Sequence, residues 1–202
     1  MIIDISQVIS PSMTVYKNKK EKKPVIKQTR TIKQGARESS ILLDSHSGTH
    51  FDAPKHILEN GKGMESFSLN TFIGQCKVID LTRVSKISAS DLKKFAVKKG
   101  DRILLKTKNS SDSKFNPEFV YVDSSAAKYL ASKKIALIGI DALGIERSQP
   151  NHETHKALLK SGIAILEGLR LKNVKGGKYF LCALPLSIKD IDGSPARVVL
   201  IR

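Results

Sequence analysis

Histidine is scarce in this chain, five residues in 202, and three of the five lie within DSHSGTHFDAPKHI at residues 44–57. The same stretch holds Asp44 and Asp52, so imidazoles and carboxylates are crowded together. Such a set can bind a divalent cation, and a histidine titrating near ~6.5 can also pass a proton at neutral pH. His46, His50 and Asp52 are spaced i, i+4 and i+6. A helix would turn His46 and Asp52 about 240° apart at ~100° per residue, and Gly48 and Pro54 oppose a helix there. A strand places all three on one face, because the spacings are even. Four residues of straight strand nevertheless span ~13 Å, awkward for two imidazoles that must share an ion at ~2.1 Å. His50 and Asp52 suit the strand as it stands, whereas His46 needs a bend, which Gly48 can supply. Taken alone, these residues leave two readings open: a bent metal-binding strand, or the polar side chains of an exposed loop.

The other two histidines, His152 and His155, also cluster. On a helix over this segment His155 shares a face with Leu158 and Leu159, at i+3 and i+4, and so looks inward. Further on, Glu167 interrupts the apolar run GIAILEGL, on the same alternate face as Ile163 and Ile165. A carboxylate there should be paired or metal-bound, because burying it alone is costly. An inward histidine beside an inward carboxylate makes a reasonable second half of a metal site.

The elements that must position these residues alternate between strand and helix. MIIDIS, CKVIDL, RILLKT, IALIGID, IAILEGL and KYFLCALPL are rich in β-branched or large apolar residues and read as strands. SASDLKKFAV, SSAAKYLASK and NHETHKALLKSG read as helices, the last with Asn151 as N-cap and Gly162 as its stop. No internal repeat and no long linker divides the chain, so residues 1–202 are expected to form a single α/β domain, with short helices around a substantially buried sheet.

With 40% hydrophobic residues the chain can bury an ordinary core. MIIDISQVIS carries Asp4 and lacks a basic lead, so it does not read as a secretion signal. No stretch approaches the ~20 apolar residues that cross a bilayer. Cys76 and Cys182 lie far apart in apolar surroundings and are expected to be buried free thiols in the cytoplasm. The net charge is +16, and half of it falls between Lys17 and Arg37, where Glu21 is the one acid among nine Lys and Arg. A run such as YKNKKEKKP could grip phosphates. No aromatic interleaving, zinc-finger spacing or RRM signature accompanies it, so a solvated loop is expected rather than a nucleic-acid surface.

HSGTHFDAPKH resembles the HxGTHxDxPxH signature of the cyclase-like metal-dependent hydrolases, the family of bacterial kynurenine formamidase and isatin hydrolase. The resemblance runs nearly end to end: IIDIS, KGDRILLKT, IGIDALGIE, HKALLKSGIAILEGLRL and LCALPLSIKDIDGSPARVVLI follow in the family's order. It implies a mixed β-sheet of the β/β/α swivelling-domain type, commonly a homodimer. It also implies a centre of two divalent ions, one held by His46, His50 and Asp52, with Asp52 bridging to a second completed by His155 and Glu167. His56, at the motif's last position, would be the general acid/base, and His152 matches no ligand position. Imidazole and carboxylate ligands without thiolate suit Zn²⁺, or else Mn²⁺.

The implied activity is hydrolysis of a small amide by metal-activated water, as in an arylformamidase, or opening of a cyclic amide or lactone. The sequence departs from the family in three places. YKNKKEKKP stands where relatives often read YPGDP, Gly144 and Glu146 stand where they often show Ser and Asp, and the chain has no Trp.

Overall fold

The computed structural model describes all residues from Met1 to Arg202. Its spine is four parallel strands, β5 (Ile73–Asp80), β6 (Arg102–Lys106), β7 (Leu137–Ile140) and β8 (Ala164–Glu167). Three antiparallel strands, β4 (His50–Asp52), β9 (Gly177–Pro185) and β10 (Gly193–Ile201), complete the main sheet. Because β10 pairs with both β4 and β9, the order β10-β4-β8-β7-β6-β5-β9 closes on itself as a barrel. Strand β1 (Ile2–Asp4) continues the line of β4 along the same edge of β10.

Alternation along the strands sorts the apolar residues into two layers. Phe51, Val78, Leu104, Leu137, Leu166, Leu181 and Val198 pack together inside the barrel. Their neighbours on the opposite face, among them Ile79, Ile103, Leu105, Ile138 and Ile165, pack under helices α1 (Ala89–Leu92), α2 (Ser124–Lys133) and α3 (Glu153–Lys160). Parallel strands need crossovers, and these helices supply them. The mixed sheet with short surrounding helices is the expected α/β class.

Some expectations need correction. The helix read over SASDLKKFAV is one turn, Ala89–Leu92, closed by a capping box between Ser88 and Asp91. Leu92 is its one buried residue, and the lysines that follow give the core nothing to hold. Helix α3 is capped at His152 rather than Asn151: His152 adopts a left-handed φ of 53° and donates its backbone N–H to the Gln149 carbonyl. Cys76 is buried, whereas Cys182 is only partly so. Within the basic segment, Val25–Arg30 and Glu38–Leu42 form an antiparallel hairpin, β2 and β3, every strand residue of which is exposed. No helix is long and apolar enough to cross a membrane.

Candidate metal centre

The centre is built where β4 lies between β8 and β10. His50 stands directly opposite Glu167 on β8 and Pro195 on β10, and Asp52 stands opposite Ile165 and Gly193. Directly opposed residues of an antiparallel pair point to the same side, so His50, Asp52 and Glu167 share the outer, helix-covered face. Phe51 between them points into the barrel. The approach of β4 to β8 is close at one place: a Cβ on Gly168 would overlap the Gly48 carbonyl. Thr49 ties the neighbouring segments together by donating its hydroxyl to the Gly168 carbonyl at 2.7 Å and accepting the Gln7 N–H at 2.8 Å.

Gly48 has φ +65°, which is the bend needed to bring His46 back beside His50. The two rings lie edge to face with centroids 5.1 Å apart. His155 reaches the same point from the first turn of α3. His50 Nε2 is 3.5 Å from both Asp52 Oδ1 and Glu167 Oε2, and His155 Nε2 is 3.4 Å from Asp52 Oδ2 and 3.6 Å from Glu167 Oε1. His46 Nδ1 is 2.9 Å from Asp52 Oδ1. The five side chains proposed from the sequence as ligands therefore meet at one place, and His56 joins them with its ring centroid 4.1 Å from that of His46 and 5.8 Å from that of His155.

Asp52 is 1% exposed and Glu167 4%, with no Lys or Arg against either. Two buried carboxylates so close together demand positive charge, from protonated histidines or from a cation. Burial alone would raise the pKa of Asp52, but His155 and His46 hold it well below the carboxylate range. Burial would likewise lower His46, yet Asp52 and then Asp192 hold it at about 9. His155 is pushed well above its usual value by Asp52, Glu146 and Glu167, against its burial. His56 goes the other way: burial lowers it, and it stays lowered although Asp52 and Glu167 pull it up, with His46 and His155 pushing it down.

Asp52 Oδ2 is fully buried and accepts no hydrogen bond. An orphaned carboxylate oxygen facing an imidazole nitrogen across 3.4 Å is what a site for a divalent cation presents, so the donor set fits a metal. His46, Asp52 and His56, and separately His50, Asp52 and Glu167, each bring their ligand atoms within 4.8 Å of one another.

Sequence reasoning passed over several residues that the structure places at the centre. Glu146 Oε1 accepts from His152 Nδ1 at 2.6 Å and lies 2.8 Å from His155 Nδ1, while its Oε2 accepts the Thr154 and His155 backbone N–H groups. The 2.8 Å approach is too bent for a hydrogen bond and is an ion-pair contact. His152 is thus tied to the site from behind, with its side chain half exposed. Asp192, from the turn before β10, reaches His46. A cavity of about 370 Å³, large enough for a small ligand, opens over His46, His50, His56, His155 and Glu167. Its mouth carries Lys17, Lys19, Lys22 and Arg147, and Tyr16 is the one aromatic residue lining it apart from the histidines.

The sequence profile of the Cyclase family, described as "Putative cyclase", matches residues 3–147. The chain belongs to the Cyclase family. Similarity to named proteins extends over nearly the whole chain. A "Kynurenine formamidase" of Bacillus thuringiensis subsp. konkukian (strain 97-27) is 30% identical over 98% of this chain and 96% of its own length. The structure titled "Potential Metal-Dependent Hydrolase With Cyclase Activity" is 47% identical, with a TM-score of 0.92 over 99% of this chain and 96% of the other. An isatin hydrolase bound to the product analogue thioisatinate shares the fold, with a TM-score of 0.86 at 22% identity over 98% and 91% of the two chains.

Proposed function

We propose that this metal-dependent hydrolase cleaves the C–N bond of a small amide in the manner of an arylformamidase, with an N-formylkynurenine-type formamide as substrate and a place in tryptophan catabolism. The observation that carries the reading is the convergence of His46, His50, Asp52, His155 and Glu167 on one buried point beside His56. His46, His50 and Asp52 would hold one divalent ion, and Asp52, His155 and Glu167 a second, with Zn²⁺ the best fit to this donor set and Mn²⁺ the alternative. Metal bound there supplies a water activated near neutral pH and polarises the amide carbonyl.

The chain's own residues do the rest. His56 lies at the cavity wall without belonging to the buried carboxylate pair, and its lowered pKa keeps it neutral at pH 7. It can therefore take a proton from the attacking water and return it to the leaving nitrogen as the tetrahedral intermediate collapses. Lys17, Lys19, Lys22 and Arg147 at the mouth would draw in a carboxylate-bearing substrate. The whole chain, residues 1–202, would act as one such domain, in the cytoplasm, which suits its two free thiols.

The test is a substrate panel on the Zn²⁺- and Mn²⁺-loaded enzyme: anionic and neutral aryl formamides, aliphatic amides, a cyclic amide and a lactone. Preferential turnover of the anionic aryl formamide is expected. Turnover confined to the cyclic substrates would replace the formamidase reading with a ring-opening one, of the kind isatin hydrolase represents, and no turnover at all would reject both.

A further inference from the structure

Asp192 lies 136 residues beyond His56, the last residue of the histidine motif, yet its carboxylate is bound into it. Its Oδ2 is 3.1 Å from His46 Nε2, and its Oδ1 accepts the Ser45 hydroxyl at 3.0 Å. The backbone is fixed as well, because the Asp192 carbonyl accepts the Ala53 N–H at 2.8 Å. The next residue has no side chain for a reason visible in the same place: a Cβ on Gly193 would lie 2.6 Å from His46 Cε1 and 2.8 Å from the Phe51 carbonyl. Gly193 leaves the space that the His46 ring fills, and Asp192 meets the far edge of that ring. His56 Nδ1 is 3.9 Å from the same Asp192 oxygen, beyond hydrogen-bond reach.

A neutral imidazole has one N–H and one lone pair, and a fixed acceptor on one nitrogen decides which is which. We propose that Asp192 is a positioning residue for the metal centre: it accepts the Nε2–H of His46 and so holds the ring in the tautomer whose Nδ1 lone pair faces Asp52 and the ligand cluster. His50 of the same set is fixed in a comparable way. His50 Nδ1 is 3.0 Å from the Gly48 carbonyl, which leaves Nε2 toward Glu167 and Asp52. His155 has Nδ1 in an ion-pair contact with Glu146, without a hydrogen bond, and Nε2 toward the same carboxylates. Carboxylates and carbonyls in this position raise ligand basicity and remove the need to order the ring on binding.

This inference rests on His46 being a ligand, and the experiment separates the two. Zn²⁺ affinity is measured by competition with a chromophoric chelator for wild type, His46→Ala, Asp192→Ala and Asp192→Asn, with folding of each apo-protein checked by circular dichroism. Asp192→Ala is expected to bind Zn²⁺ about 10- to 100-fold more weakly. Asp192→Asn should recover most of that loss, since an amide oxygen accepts the same N–H. In ¹⁵N spectra of the Zn²⁺-loaded wild type, His46 should carry its proton on Nε2. Wild-type affinity in Asp192→Ala, equal loss in Ala and Asn, or a proton on His46 Nδ1 would overturn the proposal. Unchanged affinity in His46→Ala would instead show that His46 is not a ligand.

Discussion

His56 and the proposed ligand histidines differ in what surrounds them, and that difference matches the tasks proposed for them. Buried carboxylates press against His155 and His46 and raise both, which marks nitrogens whose lone pairs are in demand. His56 is lowered chiefly by burial, with like charge from its neighbours adding to the effect. A base that must be neutral loses activity as pH falls through its pKa, so the acid limb of kcat/KM should lie below the usual histidine value of ~6.5. His56→Ala should keep its metal and lose on the order of 10²–10⁴ in kcat, together with that limb. His56→Asn should not rescue it, because an amide cannot shuttle a proton. Full activity in metal-replete His56→Ala would contradict the role, and lost metal would make His56 a ligand.

At the scale of elements, the site depends on two short strands being pressed together. Gly168 and Gly162 make a controlled comparison, since both have φ near +70° but only Gly168 has backbone where a Cβ would go. Gly162→Ala should cost about 1 kcal/mol, the strain of a left-handed alanine. Gly168→Ala must also push β8 away from the Gly48 carbonyl that holds His50. Its additional loss should exceed roughly 1 kcal/mol, a further 2–4 °C in Tm, and its metal affinity should fall while that of Gly162→Ala does not. Equal effects of the two substitutions would mean that the strand contact is not limiting. The strands of the barrel were legible because IALIGID can only be satisfied by burial, and Tyr179, Leu181 and Ala183 of KYFLCALPL alternate as a one-sided strand does. The bend at Gly48 was legible because even spacing and ligand reach conflicted without it. The hairpin β2–β3 was not, since all its strand residues face solvent and no buried face imprints an alternation on VIKQTR or ESSIL. Asp192 was not either: an aspartate in a turn before an apolar strand looks like any other until the barrel closes β10 against β4.

At the scale of the molecule, that hairpin stands out. A two-stranded sheet alone is marginal in water, and Val25, Ile26, Ile32, Ile41 and Leu42 are exposed on this one. The salt bridge of Lys22 with Asp44 at 3.0 Å ties its base to the histidine-rich segment. We propose that a second copy of the chain covers it, giving a homodimer. Ile26→Asp with Ile41→Asp should then convert a dimer to a monomer in sedimentation experiments at micromolar concentration, and a wild type that is monomeric throughout would contradict this.

The two proposed ligand sets share one residue, Asp52, whose oxygens face His46 and His50 on one side and His155 on the other. Metal content per chain, measured on wild type, Asp52→Ala and His155→Ala after loading with Zn²⁺ and desalting, tests this sharing directly. The wild type should retain about two ions, His155→Ala about one, and Asp52→Ala almost none, with all three folded by circular dichroism. Full metal content in Asp52→Ala would contradict the bridging centre.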